Sequence, residues 1–189
     1  MGKQATRLAC GAALGFIFFT AGAVASETTG TEPSVPAPSA ALQQSQAMLD
    51  SAWRSSPLAF SKAVFTTRPA SGYGQYDQRP NAEFGQSEAI HVYAEPVAYG
   101  FAERDGEAAY ALTADYRLLT PSGQVLAEET GFARFAGTAR QPRFELETVM
   151  SFQFEGLPAG SYILELTYQD EVDAASARIT LPFRTTAGN

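Results

Sequence analysis

The sequence predicts a mainly β protein, an antiparallel seven-stranded sandwich preceded by one short helix. Three observations support this fold. Apolar and polar side chains alternate in seven segments between residues 60 and 184, as expected for strands with one buried and one solvated face. Glycine, proline and aspartate residues separate the segments. No helical stretch between them is long enough for the crossovers that parallel strands need.

An export signal is predicted over residues 1–25. Two basic residues precede an apolar run, and Ala-Val-Ala at positions 23–25 provides a cleavage site before Ser26. The alternative is an uncleaved membrane anchor, because the run from 8 to 25 approaches the length of about 20 residues that spans a bilayer. The single cysteine, Cys10, falls inside the signal, so the mature chain is expected to contain no disulfide. We therefore predict a periplasmic or secreted protein.

A tether and a helix are predicted to follow the signal. Residues 26–40 are rich in Pro, Ser and Thr, a composition typical of a disordered linker. Residues 41–56 contain good helix formers, and Leu42, Leu49 and Trp53 fall on one amphipathic stripe. We expect this helix to dock on the main body, because an exposed tryptophan is unfavourable; the alternative is a partner-binding helix on a tether.

The β-sandwich domain is predicted over residues 58–189. Pro96 is expected to mark a bulge or an edge, and Asp105-Gly106 a hairpin turn. The predicted strands cover residues 60–67, 90–95, 110–118, 125–135, 144–154, 162–168 and 177–184.

One motif carries a family resemblance. Residues 156–162, Gly-Leu-Pro-Ala-Gly-Ser-Tyr, resemble the loop and strand entry of immunoglobulin-like and fibronectin type III-like domains. The resemblance implies an immunoglobulin-like sandwich, with Tyr162 as a tyrosine corner that hydrogen-bonds back across the loop. With residues 72–76 and 92–96, the chain is similar to uncharacterised bacterial secreted or periplasmic proteins containing such sandwiches. The resemblance implies no particular activity.

Composition and charge exclude several functions. The formal charge of -7 argues against a nucleic-acid partner, because binding to phosphate needs a basic surface. One histidine and one cysteine cannot form a Cys/His zinc site. The chain has no glycine-rich phosphate loop followed by lysine. We therefore predict no metal and no cofactor.

No catalytic residue is predicted. His91, the only histidine, shares a predicted strand face with Tyr93 and Glu95, and no nucleophile elbow is present, so we expect a hydrogen-bonded strand histidine. Glu145 and Glu147 are the best candidate pair for glycoside hydrolysis, but their alternation with apolar residues favours a solvated sheet face. We expect the acidic turn at 170–173 to be a solvated hairpin rather than a calcium site.

The connection from Arg68 to Gln86 contains the candidate ligand-binding residues. Long ordered loops on a rigid sandwich frequently carry binding sites. Its candidates are Tyr73, Tyr76, Arg79 and Phe84, three aromatic rings and a guanidinium. The alternative is that these rings only cap the open end of the sandwich.

These observations favour a non-enzymatic exported module of the bacterial envelope, with a binding or accessory role. The expected partner is an envelope protein, and no membrane association is expected after signal cleavage. One alternative is a glycan-binding module that uses the loop aromatics. Another is an envelope-polymer hydrolase that uses Glu145 and Glu147.

Overall fold

The structure, a computed structural model, describes residues 35–187. The predicted signal and most of the predicted tether lie outside the described residues. The described chain is mainly β with one short helix, as the sequence predicts. It contains nine strands rather than seven, in two sheets, one of which curls into a half-barrel.

Helix α1 spans Ala40–Ser55 and contacts the sheets through its last turn. Ser39 caps its start, because the Ser39 hydroxyl accepts a hydrogen bond from the Leu42 N–H at 3.2 Å. At the other end the Trp53 indole N–H donates to the Tyr99 carbonyl at 2.8 Å. None of the helix residues is fully buried. Within the described residues, no helix is long and apolar enough to cross a membrane.

The nine strands form a three-stranded sheet and a six-stranded sheet. The small sheet has the order β1-β3-β7, and the large sheet runs β2-β9-β8-β5-β6, with β4 beside the start of β5. Their bounds are β1 Ala59–Thr66, β2 Glu83–Gly85, β3 Ile90–Val97, β4 Ala102–Arg104, β5 Glu107–Leu119, β6 Val125–Ala139, β7 Thr148–Phe152, β8 Gly160–Asp170 and β9 Ser176–Thr186.

Three features of the strands differ from the prediction. β2 and β4 are additional strands of three residues each, too short to show an alternating pattern. β2 pairs with β9 in parallel, so the sheets are not wholly antiparallel. The predicted fifth strand over 144–154 is shortened to Thr148–Phe152, the segment that pairs with β3.

The irregularity expected at Pro96 lies on the neighbouring strand. β3 continues through Pro96, which is opposite Phe60, and the next paired residues are Lys62 and Glu95. Ser61 is therefore the extra residue of a β-bulge. β7 pairs with β3 only as far as Ala94, so Pro96 lies beyond that ladder.

The core lies between the two sheets. Alternating residues of β5 and β8 face the small sheet, as their periodicity predicts. Aromatic contacts connect the layers, including Phe60 of β1 with Tyr168 of β8 at 4.9 Å between centroids. The buried residues at the centre are Val92, Ala94, Leu112, Ala114, Leu164, Leu166 and Tyr168.

Candidate functional site

A tight turn in the long connection carries Tyr73, whose side chain is half-buried. The Gln75 N–H donates to the Gly72 carbonyl at 3.0 Å, and the Ser71 N–H donates to the Gln75 carbonyl at 3.1 Å. Gly74 has a φ of +68°, which the third residue of a type II turn requires. We call residues 71–76 the Tyr73 turn, because Tyr73 is at its tip.

Backbone hydrogen bonds fix the base of this turn to strand β1. The Thr67 N–H donates to the Asp77 carbonyl at 3.0 Å, and the Arg79 N–H donates to the Phe65 carbonyl at 2.9 Å. An exposed ion pair joins Arg68 to Asp77 at 2.7 Å. The turn is therefore held as a short hairpin rather than as a free loop.

Tyr93 attaches the turn to the outer face of the small sheet. The Gly74 N–H donates to the Tyr93 hydroxyl at 2.7 Å, and the Tyr76 ring stacks on the Tyr93 ring at 4.2 Å. The Tyr93 hydroxyl in turn donates to Glu95 Oε1 at 2.7 Å. The other oxygen, Glu95 Oε2, accepts from the hydroxyl of the bulge residue Ser61 at 2.8 Å. Both carboxylate oxygens of Glu95 are thus held in place.

Tyr73 and Tyr93 remain neutral phenols. Burial, reinforced by the hydrogen bond to Glu95, raises the pKa of Tyr93 well above its ordinary value. Burial and the negative charges of Glu95 and Glu145 also raise the pKa of Tyr73. At neutral pH both side chains therefore carry protonated hydroxyl groups rather than phenolates, and Tyr93, 0% exposed, supports the turn from below.

The candidate carboxylate pair lies in the extended segment before β7. The Arg143 guanidinium donates to the Glu145 carbonyl at 2.7 Å and pairs with the Glu147 carboxylate at 3.4 Å. Glu145 is exposed and Glu147 half-buried. A pair for glycoside hydrolysis must face each other across the substrate. The Arg143 guanidinium instead binds the Glu145 carbonyl and the Glu147 carboxylate of this same segment. The negative charge of Glu145 lies near Tyr73.

Arg79 and Phe84 are not part of the surface around Tyr73. Phe84 is only 1% exposed and packs against Phe65 and Phe183, so its ring is in the core rather than open to a ligand. The Arg79 guanidinium lies 4.2 Å from the centre of the Phe84 ring. Arg79 also donates to the Glu83 carbonyl and pairs with Glu88 at 2.6 Å, so its donors bind the protein itself.

Tyr162 and His91, which the sequence analysis also singled out, are hydrogen-bonded within the protein. The Tyr162 hydroxyl donates to the Pro158 carbonyl at 2.9 Å, across the loop that precedes β8. His91 Nδ1 lies 2.7 Å from the hydroxyl of Ser151, its direct neighbour across β3 and β7. Among residues 35–187, no group of three or more histidine, cysteine or acidic residues is placed to hold a metal ion.

Sequence reasoning placed Tyr93 and Glu95 on one strand face but did not connect them to the Tyr73 turn. The alternation of β3 was a usable signal, because it directs both side chains away from the core. No pattern in the sequence indicated that the Ser61 hydroxyl donates to Glu95. This hydrogen bond depends on the bulge, which appears only when β1 is paired with β3.

The conformation of Gly74 leads to a stability prediction. Gly74→Ala is expected to lower the free energy of unfolding by about 1–2 kcal/mol, because alanine is strained at positive φ. An added Cβ meets no atom within 4 Å, so the penalty comes from the backbone alone. Gly72→Ala is the matched control, since its Cβ makes only ordinary contact with Gln75, at 3.6 Å. Urea denaturation of both variants measures the difference, and equal costs would contradict the role assigned to φ.

Comparison with known proteins adds only weak structural similarity. No family model and no curated protein matches the sequence. The chain is similar to a solved structure described as the crystal structure of β-glucosidase from Listeria innocua in complex with gluconolactone, with 10% sequence identity and a TM-score of 0.34. The match covers 69% of this chain and 16% of that chain. A similarity at this level carries no inference about fold family or activity.

Proposed function

We propose that the protein is a non-enzymatic module exported to the bacterial envelope, where it binds a protein partner through the Tyr73 turn. The observation that supports this proposal is the fixed backbone of the turn that carries the half-buried Tyr73. Hydrogen bonds of Gly74 and Asp77 and the stacking of Tyr76 hold the turn before any partner arrives. A contact that is ordered in advance loses less conformational entropy on binding.

The charge around the turn favours a partner with a basic contact surface. Glu95 and Glu145 lie near Tyr73, and the whole chain carries a formal charge of -7. Complementary charge accelerates encounter and selects among partners. A tyrosine surrounded by carboxylates is suited to an aromatic contact at the centre with ion pairs around it.

The finer fold assignment belongs to the same proposal. We infer an immunoglobulin-like sandwich, and the hydrogen bond from Tyr162 to the Pro158 carbonyl supports this inference. Export rests on the charged, apolar and small-residue parts of the N-terminal sequence. The resemblance to bacterial secreted and periplasmic sandwiches favours the periplasm or the exterior as the location.

Affinity capture tests the protein-partner proposal. The mature protein is used as bait in envelope extract of the source organism, beside Tyr73→Ala and the control Leu126→Ala, an exposed apolar residue on β6. Tyr73→Ala is expected to weaken binding of the captured partner by about 2 kcal/mol, or roughly 30-fold in Kd. Leu126→Ala is expected to bind normally.

The charge complementarity gives the same experiment a second measurement. Association with a basic partner is expected to slow as salt rises from about 50 to 500 mM, because screening shortens the range of the attraction. Equal partner lists and affinities for wild type and Tyr73→Ala would exclude the turn as the contact. Association that is independent of salt would exclude the basic partner surface.

A glycan-binding role is the second candidate. A cleft of about 360 Å³ adjoins the turn and is lined by Tyr76 together with Ser71, Gln75 and Asp77. An aromatic ring beside hydroxyl, amide and carboxylate groups is chemistry that suits a sugar. Glycan-array binding that is lost in Tyr76→Ala and retained in Leu126→Ala would favour this role over a protein partner.

A further inference from the structure

A second cleft, separate from the Tyr73 turn, lies where the last turn of α1 meets the loop after β3. Its volume is about 340 Å³, at the lower end of the range of about 300–1,000 Å³ typical of small-molecule sites. Four segments that are separate in sequence form its walls. The lining residues that matter here are Asp50, Trp53, Arg54, Phe101, Phe144 and Asp173.

Aromatic rings at steep angles form one side of this cleft. Trp53 meets Phe144 at 4.7 Å and 61°, and Phe101 meets Phe144 at 6.0 Å and 90°. Trp53 is also held edge-on to Tyr99 at 5.2 Å and is fixed by its hydrogen bond to the Tyr99 carbonyl. Rings that are inclined in this way offer electron-rich faces in more than one direction, which suits a cation.

The charged groups of the cleft are predominantly acidic. Of the residues that the structure describes, two acidic side chains, Asp50 and Asp173, and one cation, Arg54, line it. Among the described residues, none of these three side chains lies within ion-pair distance of an opposite charge. Asp170 adds a carboxylate nearby, which accepts hydrogen bonds from the N–H groups of Gly100 and Asp173. These two N–H groups are therefore not free to bind an anion.

The backbone beside the cleft is strained. Ala98 has a φ of +60°, an unfavourable conformation for a residue with a Cβ. Asp173 lies so close to Gly100 that an added Cβ at Gly100 would be 2.5 Å from the Asp173 carboxylate. A strained conformation like that of Ala98 persists only where surrounding contacts enforce it, and such conformations are concentrated at functional sites.

We propose that this cleft binds a small organic ammonium ion, whose charge lies against the rings of Trp53, Phe101 and Phe144 and is balanced by Asp50 and Asp173. Aromatic faces combined with carboxylates attract such cations by the ring quadrupole and by direct charge. The site is independent of the Tyr73 turn, so failure of either proposal leaves the other standing.

The single tryptophan of the chain provides a direct measurement. Trp53 lines the cleft, and no other tryptophan contributes to the emission spectrum. Tetramethylammonium chloride is titrated into the mature protein, with sodium chloride used to keep ionic strength constant. We expect a saturable change in emission with a Kd on the order of 1 mM, as a few weak cation–π contacts would give. A linear response, equal to that with sodium chloride alone, would overturn the proposal.

Four substitutions, in the cleft and beside it, distinguish binding at this site from a general effect of charge. Asp173→Asn is expected to weaken tetramethylammonium binding at least fivefold, and Phe101→Leu to weaken it similarly. Arg54→Gln is expected to strengthen binding, because it removes a positive charge that lines the cleft. Glu171→Gln is the matched control and should leave Kd unchanged, since Glu171 pairs with Arg134 instead of lining the cleft.

A neutral probe of the same shape tests the role of charge. 3,3-Dimethylbutan-1-ol resembles choline without the positive charge and is expected to bind at least tenfold more weakly than choline. Equal binding of the two probes would show an apolar pocket and overturn the proposed cation site. Equal weakening by Asp173→Asn and Glu171→Gln would do the same. Circular dichroism of each variant confirms that a change in Kd does not come from unfolding.

Discussion

Tyr168→Ala is expected to lower the free energy of unfolding by about 4 kcal/mol, within the range found when buried aromatic residues are truncated in cores. Tyr168 is fully buried, two residues before the end of β8. Its ring contacts Phe60 of the small sheet at 4.9 Å and Phe135 of β6 at 6.2 Å. Truncation therefore leaves a cavity between the sheets that rigid strands on both sides cannot close.

The hydroxyl of Tyr168 makes a separate, smaller contribution. Thr148 donates to the Ala94 carbonyl at 3.2 Å, so the Tyr168 hydroxyl donates to Thr148 Oγ1 at 2.7 Å. This hydrogen bond joins the large sheet to the small sheet within the core. Burial raises the pKa of Tyr168 further above neutrality, so the phenol keeps its proton. Tyr168→Phe is expected to cost about 1–2 kcal/mol, the usual value for one buried hydrogen bond.

Urea denaturation of Tyr168→Ala, Tyr168→Phe and Thr148→Val measures these contributions. The double variant Tyr168→Phe with Thr148→Val should cost less than the two single variants together, because both remove the same bond. Phe135→Leu is a useful control, since its ring is half-buried and lies on the edge strand β6. A Tyr168→Ala cost below that of Phe135→Leu would contradict the central position given to Tyr168.

The pattern that predicts Tyr168 to be buried explains why much of the fold was predictable. Alternation over residues 162–168 and 110–118 indicates which side chains face the core, and the structure buries Leu112, Leu164 and Tyr168 accordingly. Long strands carry this information because each adds several residues to one face. The short helix was also predictable from its helix formers, but its apolar stripe does not pack as predicted: Trp53 contacts the core, whereas Leu42 and Leu49 are each 50% exposed.

Pairing, by contrast, could not be predicted from local pattern. Phe84 counted as a loop aromatic in the sequence, but the three-residue strand around it joins β9 in parallel and places its ring in the core. That strand exists because Phe84 pairs with Thr185, which is 101 residues away in sequence. The cleft beside Trp53 has the same origin, because Phe101, Phe144 and Asp173 come from separate connections.

The acidic turn after β8 is a further case in which tertiary contact overrides the local prediction. The sequence predicts a solvated hairpin at 170–173, but Asp170 is only 2% exposed. One of its carboxylate oxygens accepts the Gly100 N–H at 2.5 Å. The other accepts the N–H groups of Val172 at 2.8 Å and Asp173 at 3.3 Å. Composition alone could not distinguish this buried carboxylate from its exposed neighbours.

Asp170→Ala is expected to lower the free energy of unfolding by about 3 kcal/mol, because it leaves buried N–H donors without an acceptor. The Gly100 N–H loses its bond to β8, so the loop after β3 loses its attachment there. Asp170→Asn is expected to cost less, since its amide oxygen still accepts one of these N–H groups. Asp173→Ala is the control: Asp173 is exposed, so its truncation should change stability by less than about 0.5 kcal/mol.

Denaturation combined with hydrogen exchange distinguishes a local effect from a global one. If Asp170 holds the loop, the Gly100 amide should exchange faster in Asp170→Asn than in wild type, while the amides of β5 stay protected. Gly100 and Asp173 both line the cleft beside Trp53, whereas Asp170 does not. Asp170→Asn should therefore also weaken tetramethylammonium binding, although it removes no group that lines the cleft. Unchanged exchange at Gly100 would show that the loop is held by its other contacts. The stability effect of Asp170 would then arise within the acidic turn alone.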